Sequence, residues 1–212
     1  MEKRVMEEGL ENRIRNAYAR FLKSVVPEAS EHDVRARFIQ HFIHKGLGYP
    51  EKCYINEKKW ADIWLLDKKV QAVPKKEKEF YRLQTLPIVV IETKNINTKN
   101  KELSQEGNII QAFKYIAPGA TRYVALTNFK RFILWHIGDS LKPQPLKKAI
   151  ADVDIEAEIT HATFGSQLNH LIPICFEEIS KVYDDFAASP NINLGEPKNF
   201  EAFTKIVKWK ND

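Results

Sequence analysis

Ile88-Val89-Val90-Ile91-Glu92-Thr93-Lys94 is the stretch that decides the fold. Four β-branched residues follow one another behind Pro87, the pattern of a buried strand. Side chains alternate across a strand, so Val90, Glu92 and Lys94 share one face. Such a run should close in a turn or a further apolar stripe. Here it closes in a carboxylate and an ammonium beside the core, and a local breach of pattern is where function is expected. The bland alternative is a solvated ion pair at a strand end, worth about 0–1 kcal/mol. The pair gains meaning only from what the rest of the chain brings to it.

Upstream, residues 54–55 and 60–66 read as two strands joined by a turn at 56–59. In the second, Asp62, Trp64 and Leu66 share one face and Ile63 and Leu65 the other. Both faces are otherwise apolar, and a carboxylate there is seldom buried unless it is paired or holds a metal. A helix is predicted from Ser30 to about residue 45, stopping at Gly46. Ser30 is a good N-cap, and Asp33 completes something like a capping box. Val34, Phe38 and Phe42 form its apolar stripe. Glu31 falls on that stripe in the first turn, where it either faces a metal site or serves the helix dipole. Residues 2–24 form a first helix, with Leu10, Ile14, Tyr18 and Phe21 at helical spacing.

Residues 67–87 read as a charged loop, with Lys75-Lys76-Glu77-Lys78-Glu79 either solvated or in contact with phosphates. Downstream, a polar segment over 95–103 leads into a helix over 104–116 whose buried stripe is Ile109, Phe113 and Ile116. Gln111 and Tyr115 stand four apart on an adjacent face, so they can act together. Strands follow at 122–127 and 132–137. Beyond them, Val153, Ile155, Ala157 and Ile159 alternate with acids, which predicts a half-exposed strand. A helix over 164–187 broken near Pro173, a linker over 191–197 and a last helix over 199–210 complete the chain.

The 212 residues suit one domain, or one with an appendage, and the apolar and charged fractions, 43% and 29%, are those of a soluble globular protein. No apolar stretch reaches the ~18 residues of a membrane helix. The first eight residues lack an apolar signal core, so the expected compartment is the cytoplasm. Two isolated cysteines, Cys53 and Cys175, support neither a disulfide framework nor a metal cluster. Net charge is +5, unevenly spread: residues 151–190 stand at −7, 191–212 at +1, and 1–150 therefore at +11. A basic body over 1–150 with an acidic, mainly helical appendage or connector over 151–212 suggests a polyanionic partner for the body.

Asp62 and the Glu92–Lys94 pair, on neighbouring strands, offer two carboxylates and an amine that can converge. Hard cations such as Mg²⁺ take one or two carboxylates together with water and substrate phosphate. No His or Cys set has zinc spacing. Two carboxylates sharing a site repel when no metal is present, so at least one should have a raised pKa.

At this point the chain resembles the PD-(D/E)xK nuclease superfamily, through Asp62 followed by Glu92-Thr93-Lys94 at a strand end. Glu31 is similar to the extra acidic residue that many members place near the metal. Gln111-Ala112-Phe113-Lys114-Tyr115 resembles the Gln-x-x-x-Tyr helix of the RecB-like branch, and Arg122 onward, with Leu126-Thr127-Asn128, resembles the strand pair after that helix. The resemblance covers roughly residues 30–137 and is closest to the nuclease domain of type I restriction subunits and of fused restriction–modification enzymes. Ala61 stands where the superfamily has Pro, and the 30-residue gap from Asp62 to Glu92 is long. Asp67 is a rival first ligand, but it lies on the other face from Asp62.

The resemblance implies an α/β fold with a mixed central sheet flanked by helices, and Mg²⁺-dependent hydrolysis of DNA phosphodiesters, with Mn²⁺ as a substitute ion. Asp62, Glu92 and Glu31 would hold the metal, Lys94 would assist the water, and Gln111 and Tyr115 would position the phosphate. It also implies methyltransferase or helicase parts in the same or a partner chain. The competing readings are a non-catalytic nucleic-acid-binding module, and a repair or recombination nuclease of the same fold.

Overall fold

The computed structural model describes residues 2–51, 53–56, 62–66, 87–116, 121–137, 148–160 and 167–180. The charged loop, Asp67, the linker over 191–197 and the helix expected over 199–210 lie outside the described residues. Helix α1 (Glu2–Ser24) buries Ile14, Tyr18 and Phe21, the stripe that the helical spacing picks out. Helix α2 (Glu31–Phe38) begins with the capping box: Asp33 donates its N–H to Ser30 Oγ at 3.1 Å, and Ser30 donates its N–H to Asp33 Oδ2 at 3.2 Å.

From Ile39 to Gly46 the helix continues with π winding, Leu47 N–H reaching back to Phe42 O. The buried residues Ile39, Phe42, Ile43 and Gly46 suit either winding over so short a run, so the wider turn leaves no mark in the apolar pattern. A Cβ on Gly46 would lie 3.1 Å from that of Ala17, so glycine there lets the two helices approach closely.

Strands β1 (Tyr54–Asn56), β2 (Ile63–Leu65) and β3 (Val89–Thr93) form an antiparallel meander. The chain then crosses over through a single turn, α3 (Asn100–Leu103), and helix α4 (Glu106–Phe113). It re-enters as β4 (Tyr123–Thr127), parallel to β3, and turns back as β5 (Arg131–His136). A sixth strand, β6 (Ala151–Asp154), pairs with β5, and the sheet order is β1-β2-β3-β4-β5-β6. The result is a mixed α/β fold around a six-stranded, mostly antiparallel sheet.

The two faces of the sheet carry different clusters. Ile63, Leu65, Val89 and Ile91 pack with Ile14, Phe21, Phe38 and Phe42 on the face covered by α1 and α2. On the other, Val124, Leu126, Ile133 and Trp135 meet Phe113 and Ile116 from α4 and the turn after it, and Trp64, Leu66 and Val90 form a separate small cluster with Tyr115 against it. The alternation read from β2 and β3 therefore holds, and it turns Glu92 toward the α4 side, while Asp62 lies just before β2, at the edge of the sheet.

Two expectations for the acidic segment change. The strand over 153–159 stops at Asp154, and Ile155–Thr160 is a helix, α5. Asp154 Oδ1 accepts the N–H of Ala157 at 2.9 Å, a bond that opens helices, so the alternation of apolar and acidic residues masks a cap. Nor does a boundary at residue 150 part the described residues. Besides the β5–β6 pairing, Val153, Ile155, Leu168, Leu171, Ile174 and Ile179 lie in the same core as α1 and α2. Leu168, Leu171 and Ile174 belong to a 3₁₀ stretch, Gln167–Ile174, with Pro173 inside it.

Candidate active site

Glu92 occupies the last turn of pleat in β3 before the strand ends. Its neighbours on either side, Ile91 and Thr93, are buried, and Glu92 itself is only 4% exposed. Ile63 pairs with Ile91, so extending that register by one residue sets Asp62 opposite Glu92. Asp62 Oδ2 accepts two hydrogen bonds, from Thr93 N–H and from Thr93 Oγ1, each at 2.7 Å. The same Asp62 meets Arg35 of α2 through Oδ1, 2.9 Å from a guanidinium Nη2.

Lys94 follows at once. Its Nζ donates to Glu92 Oε1 at 3.1 Å and to Gln111 Oε1 at 2.6 Å, which ties the end of β3 to α4. Gln111 in turn shares a hydrogen bond with Tyr115, just past the end of α4. Burial and the charges of Glu92 and Asp62 push the Tyr115 hydroxyl above its ordinary pKa. Five residues singled out from the sequence, Asp62, Glu92, Lys94, Gln111 and Tyr115, thus lie in one constellation at the ends of β2 and β3.

Burial raises the pKa of the Glu92 carboxyl to about 7, the charge of Asp62 adds to the rise, and Lys94 and Arg35 oppose it. The repulsion expected of two carboxylates in one place is therefore present, although loss of hydration is the larger cause. Near neutral pH Glu92 is divided between its acid and its carboxylate.

Glu31 joins the group indirectly. Its side chain is 43% exposed and accepts from Arg35 Nη2 at 3.2 Å, one helical turn on. No group of three or more His, Cys, Asp or Glu side chains is arranged to hold a metal among the described residues. The expected three-carboxylate set is not assembled; Arg35 stands between Glu31 and Asp62 in its place. Two carboxylates remain side by side, a donor set of the kind Mg²⁺ accepts when water and phosphate oxygens complete its shell. Glu92, buried and half protonated, would give up a proton to take such an ion.

Sequence reasoning passed over Arg35 and Thr93. Arg35 carried a signal, since it stands four residues after Glu31 beside the Val34–Phe38 stripe, where a cation is rarely buried without a partner. Thr93 carried none: as the middle residue of Glu-x-Lys it alternates away from Glu92, and its bonds to Asp62 depend on how β2 ends.

No helix among the described residues is long and apolar enough to cross a membrane. No protein-family model, no curated protein and no solved structure matches the chain.

Proposed function

We propose that the chain is a metal-dependent endonuclease of the PD-(D/E)xK type, with a restriction-endonuclease-like fold, that hydrolyses DNA phosphodiester bonds in the cytoplasm as the nuclease part of a restriction–modification system. The observation that carries the reading is the meeting of Asp62 with Glu92 and Lys94 at adjoining strand ends, with Lys94 held between Glu92 and Gln111. The order of the strands supports it too, because a β-meander, a helical crossover and a parallel β4 place Gln111 and Tyr115 over the same strand ends. Methyltransferase or helicase parts, in the same or a partner chain, would supply sequence recognition.

In this reading Asp62 and Glu92 would hold Mg²⁺, or Mn²⁺ in its place. When bound, the ion would supply Lewis-acid polarisation of the phosphate and favour ionisation of a water at neutral pH. The protein's own groups do the rest. Thr93 fixes the orientation of Asp62 through two bonds to one oxygen. An ammonium has three N–H donors, so Lys94 can keep its bonds to Glu92 and Gln111 and still donate to a water or to a phosphate oxygen. Held in that way it stabilises charge as it develops on phosphate, without having to reorganise. Tyr115, hydrogen-bonded to Gln111 and packed near Trp64 and Val90, fixes the α4 side of the site.

Cleavage of duplex DNA by the full chain with Mg²⁺, compared with Asp62→Ala and Lys94→Ala, tests the reading. Asp62→Ala should lose both cleavage and Mn²⁺ binding by calorimetry. Lys94→Ala should keep DNA affinity and lose about 10²–10³ in single-turnover rate, the usual cost of one preorganised donor. Equal metal binding by wild type and Asp62→Ala would remove the metal site, and a Lys94→Ala rate within tenfold of wild type would remove Lys94 from the chemistry.

A further inference from the structure

Arg35 is the group in the site that the proposed chemistry leaves without a task. It is 9% exposed, and its Nε is buried with no hydrogen-bond partner among the described residues. A buried guanidinium with an unmet donor is costly to keep, so its position calls for a reason.

The reason lies in how the two oxygens of Asp62 are used. Oδ2 is committed to Thr93, through a backbone N–H that cannot leave without moving β3 and a hydroxyl at the same 2.7 Å. Oδ1 faces Arg35 Nη2 at 2.9 Å. A cation that takes Asp62 by Oδ1, the oxygen not bonded to Thr93, therefore arrives where a guanidinium already stands, and two positive charges so close repel strongly away from bulk water. Arg35 also has somewhere to go. The same Nη2 lies 3.2 Å from Glu31 Oε1, whose side chain is 43% exposed and free to follow it outward. The charge of Arg35 reaches Glu92 as well, so the guanidinium counters both carboxylates at once.

We propose that Arg35 is the resident counter-ion of this site: it occupies Oδ1 of Asp62 in the metal-free protein and competes with a divalent ion for that oxygen, Glu31 holding it when it is displaced. The inference rests on the reading of Asp62 and Glu92 as metal ligands. It gives Glu31 a role as tether in place of ligand, and makes Arg35 a positioning residue that sets how tightly the site takes its ion.

Calorimetric titration of the full chain with Mg²⁺ and with Mn²⁺ tests it, in wild type, Arg35→Met and Arg35→Lys. Methionine keeps the apolar stem and removes the charge, and should tighten binding about tenfold or more. Lysine keeps a charge without the planar fork and should tighten it less. Unchanged or weaker binding in Arg35→Met, with a cooperative unfolding transition retained, would overturn the competition and leave the metal site standing. Absence of ion binding in wild type and variant alike would overturn the metal site and this proposal with it. A measurement on the wild type alone guards against a variant that misfolds. In ¹⁵N-arginine spectra, Arg35 Nε–H exchange with water should quicken on saturation with Mg²⁺ as the ion pair opens. Exchange that stays the same at saturation would overturn the proposal.

Discussion

Glu92 is a carboxyl group that folding has made harder to ionise. Its pKa rises from an ordinary 4.5 to about 7. Between those values the folded protein holds a proton that the unfolded chain has released, so the folded state binds more protons and stability falls as pH rises. The contribution is fully present below the unfolded value and is lost as pH passes the folded one. A gap of this size corresponds to about 3 kcal/mol. Glu92→Gln stays neutral throughout, so in the presence of a chelator it should gain on wild type between pH 5 and pH 8, by up to about 3 kcal/mol in urea unfolding. Parallel pH profiles for the two proteins would mean that Glu92 ionises like an exposed carboxylate. The same residue shows what a sequence reveals at this scale. Its exceptional place in an apolar strand was visible because strand alternation is strict. The bonds of Arg35 and Thr93 to Asp62 were not, because they join three elements whose relative placement no local pattern specifies, even though the place of Arg35 beside an apolar stripe marked it as a cation in need of a partner.

At the scale of elements, legibility followed periodicity. The β2 and β3 faces could be assigned because Ile63, Leu65, Val89 and Ile91 alternate cleanly with residues that face α4. The stripe of α1 was equally plain. Periodicity failed where a hydrogen bond overrides it, as at Asp154, or where two windings bury the same residues, as over Ile39–Gly46. The turn between β4 and β5 is a further case. Phe129 takes a positive φ of 69°, rare for an aromatic residue, and is held there by its N–H bond to Thr127 Oγ1, by the bond that Arg131 N–H donates across the turn to Asn128 Oδ1, and by packing on Phe21 and Phe38. The start of α2 was legible, and it matters to the site because Glu31 and Arg35 leave from its first turns. Ser30→Ala should cost about 1 kcal/mol of stability, the usual worth of an N-cap, measured by denaturant unfolding. A loss under about 0.3 kcal/mol would mean that packing alone starts the helix.

For the whole molecule, the charge division that the sequence shows has a structural counterpart of a different kind. Several acids of the 151–180 region are engaged with cations of the body. Arg131 forms a two-pronged pair with Asp152, at 2.6 and 2.5 Å, and Arg13 another with Glu177, at 2.6 and 2.9 Å. Lys130 lies 3.6 Å from Glu156. Part of the −7 of residues 151–190 thus offsets part of the +11 of residues 1–150 within one fold. These pairs are mostly exposed and contribute little to stability. The apolar contacts count for more. Val153, Ile155, Leu168, Leu171, Ile174 and Ile179 are buried in the core that also holds α1 and α2, and each is worth roughly 1.5–3 kcal/mol of burial. Even after discount for a compact unfolded chain, their loss together rivals the 5–15 kcal/mol that holds a domain folded. A chain ended at residue 150 would also leave β5 as a bare edge, with Phe132 and Leu134 uncovered. Such a truncation should show no cooperative thermal transition by circular dichroism, and should aggregate where the full chain stays dispersed. DNA binding by the full chain should weaken steeply with salt, because phosphate contacts release counterions. The truncated chain should not reproduce that binding, for want of a fold. A 1–150 fragment that unfolds cooperatively near the full chain's midpoint would mean that the acidic segment is an appendage after all, and that its apolar residues only cover a core able to stand without them.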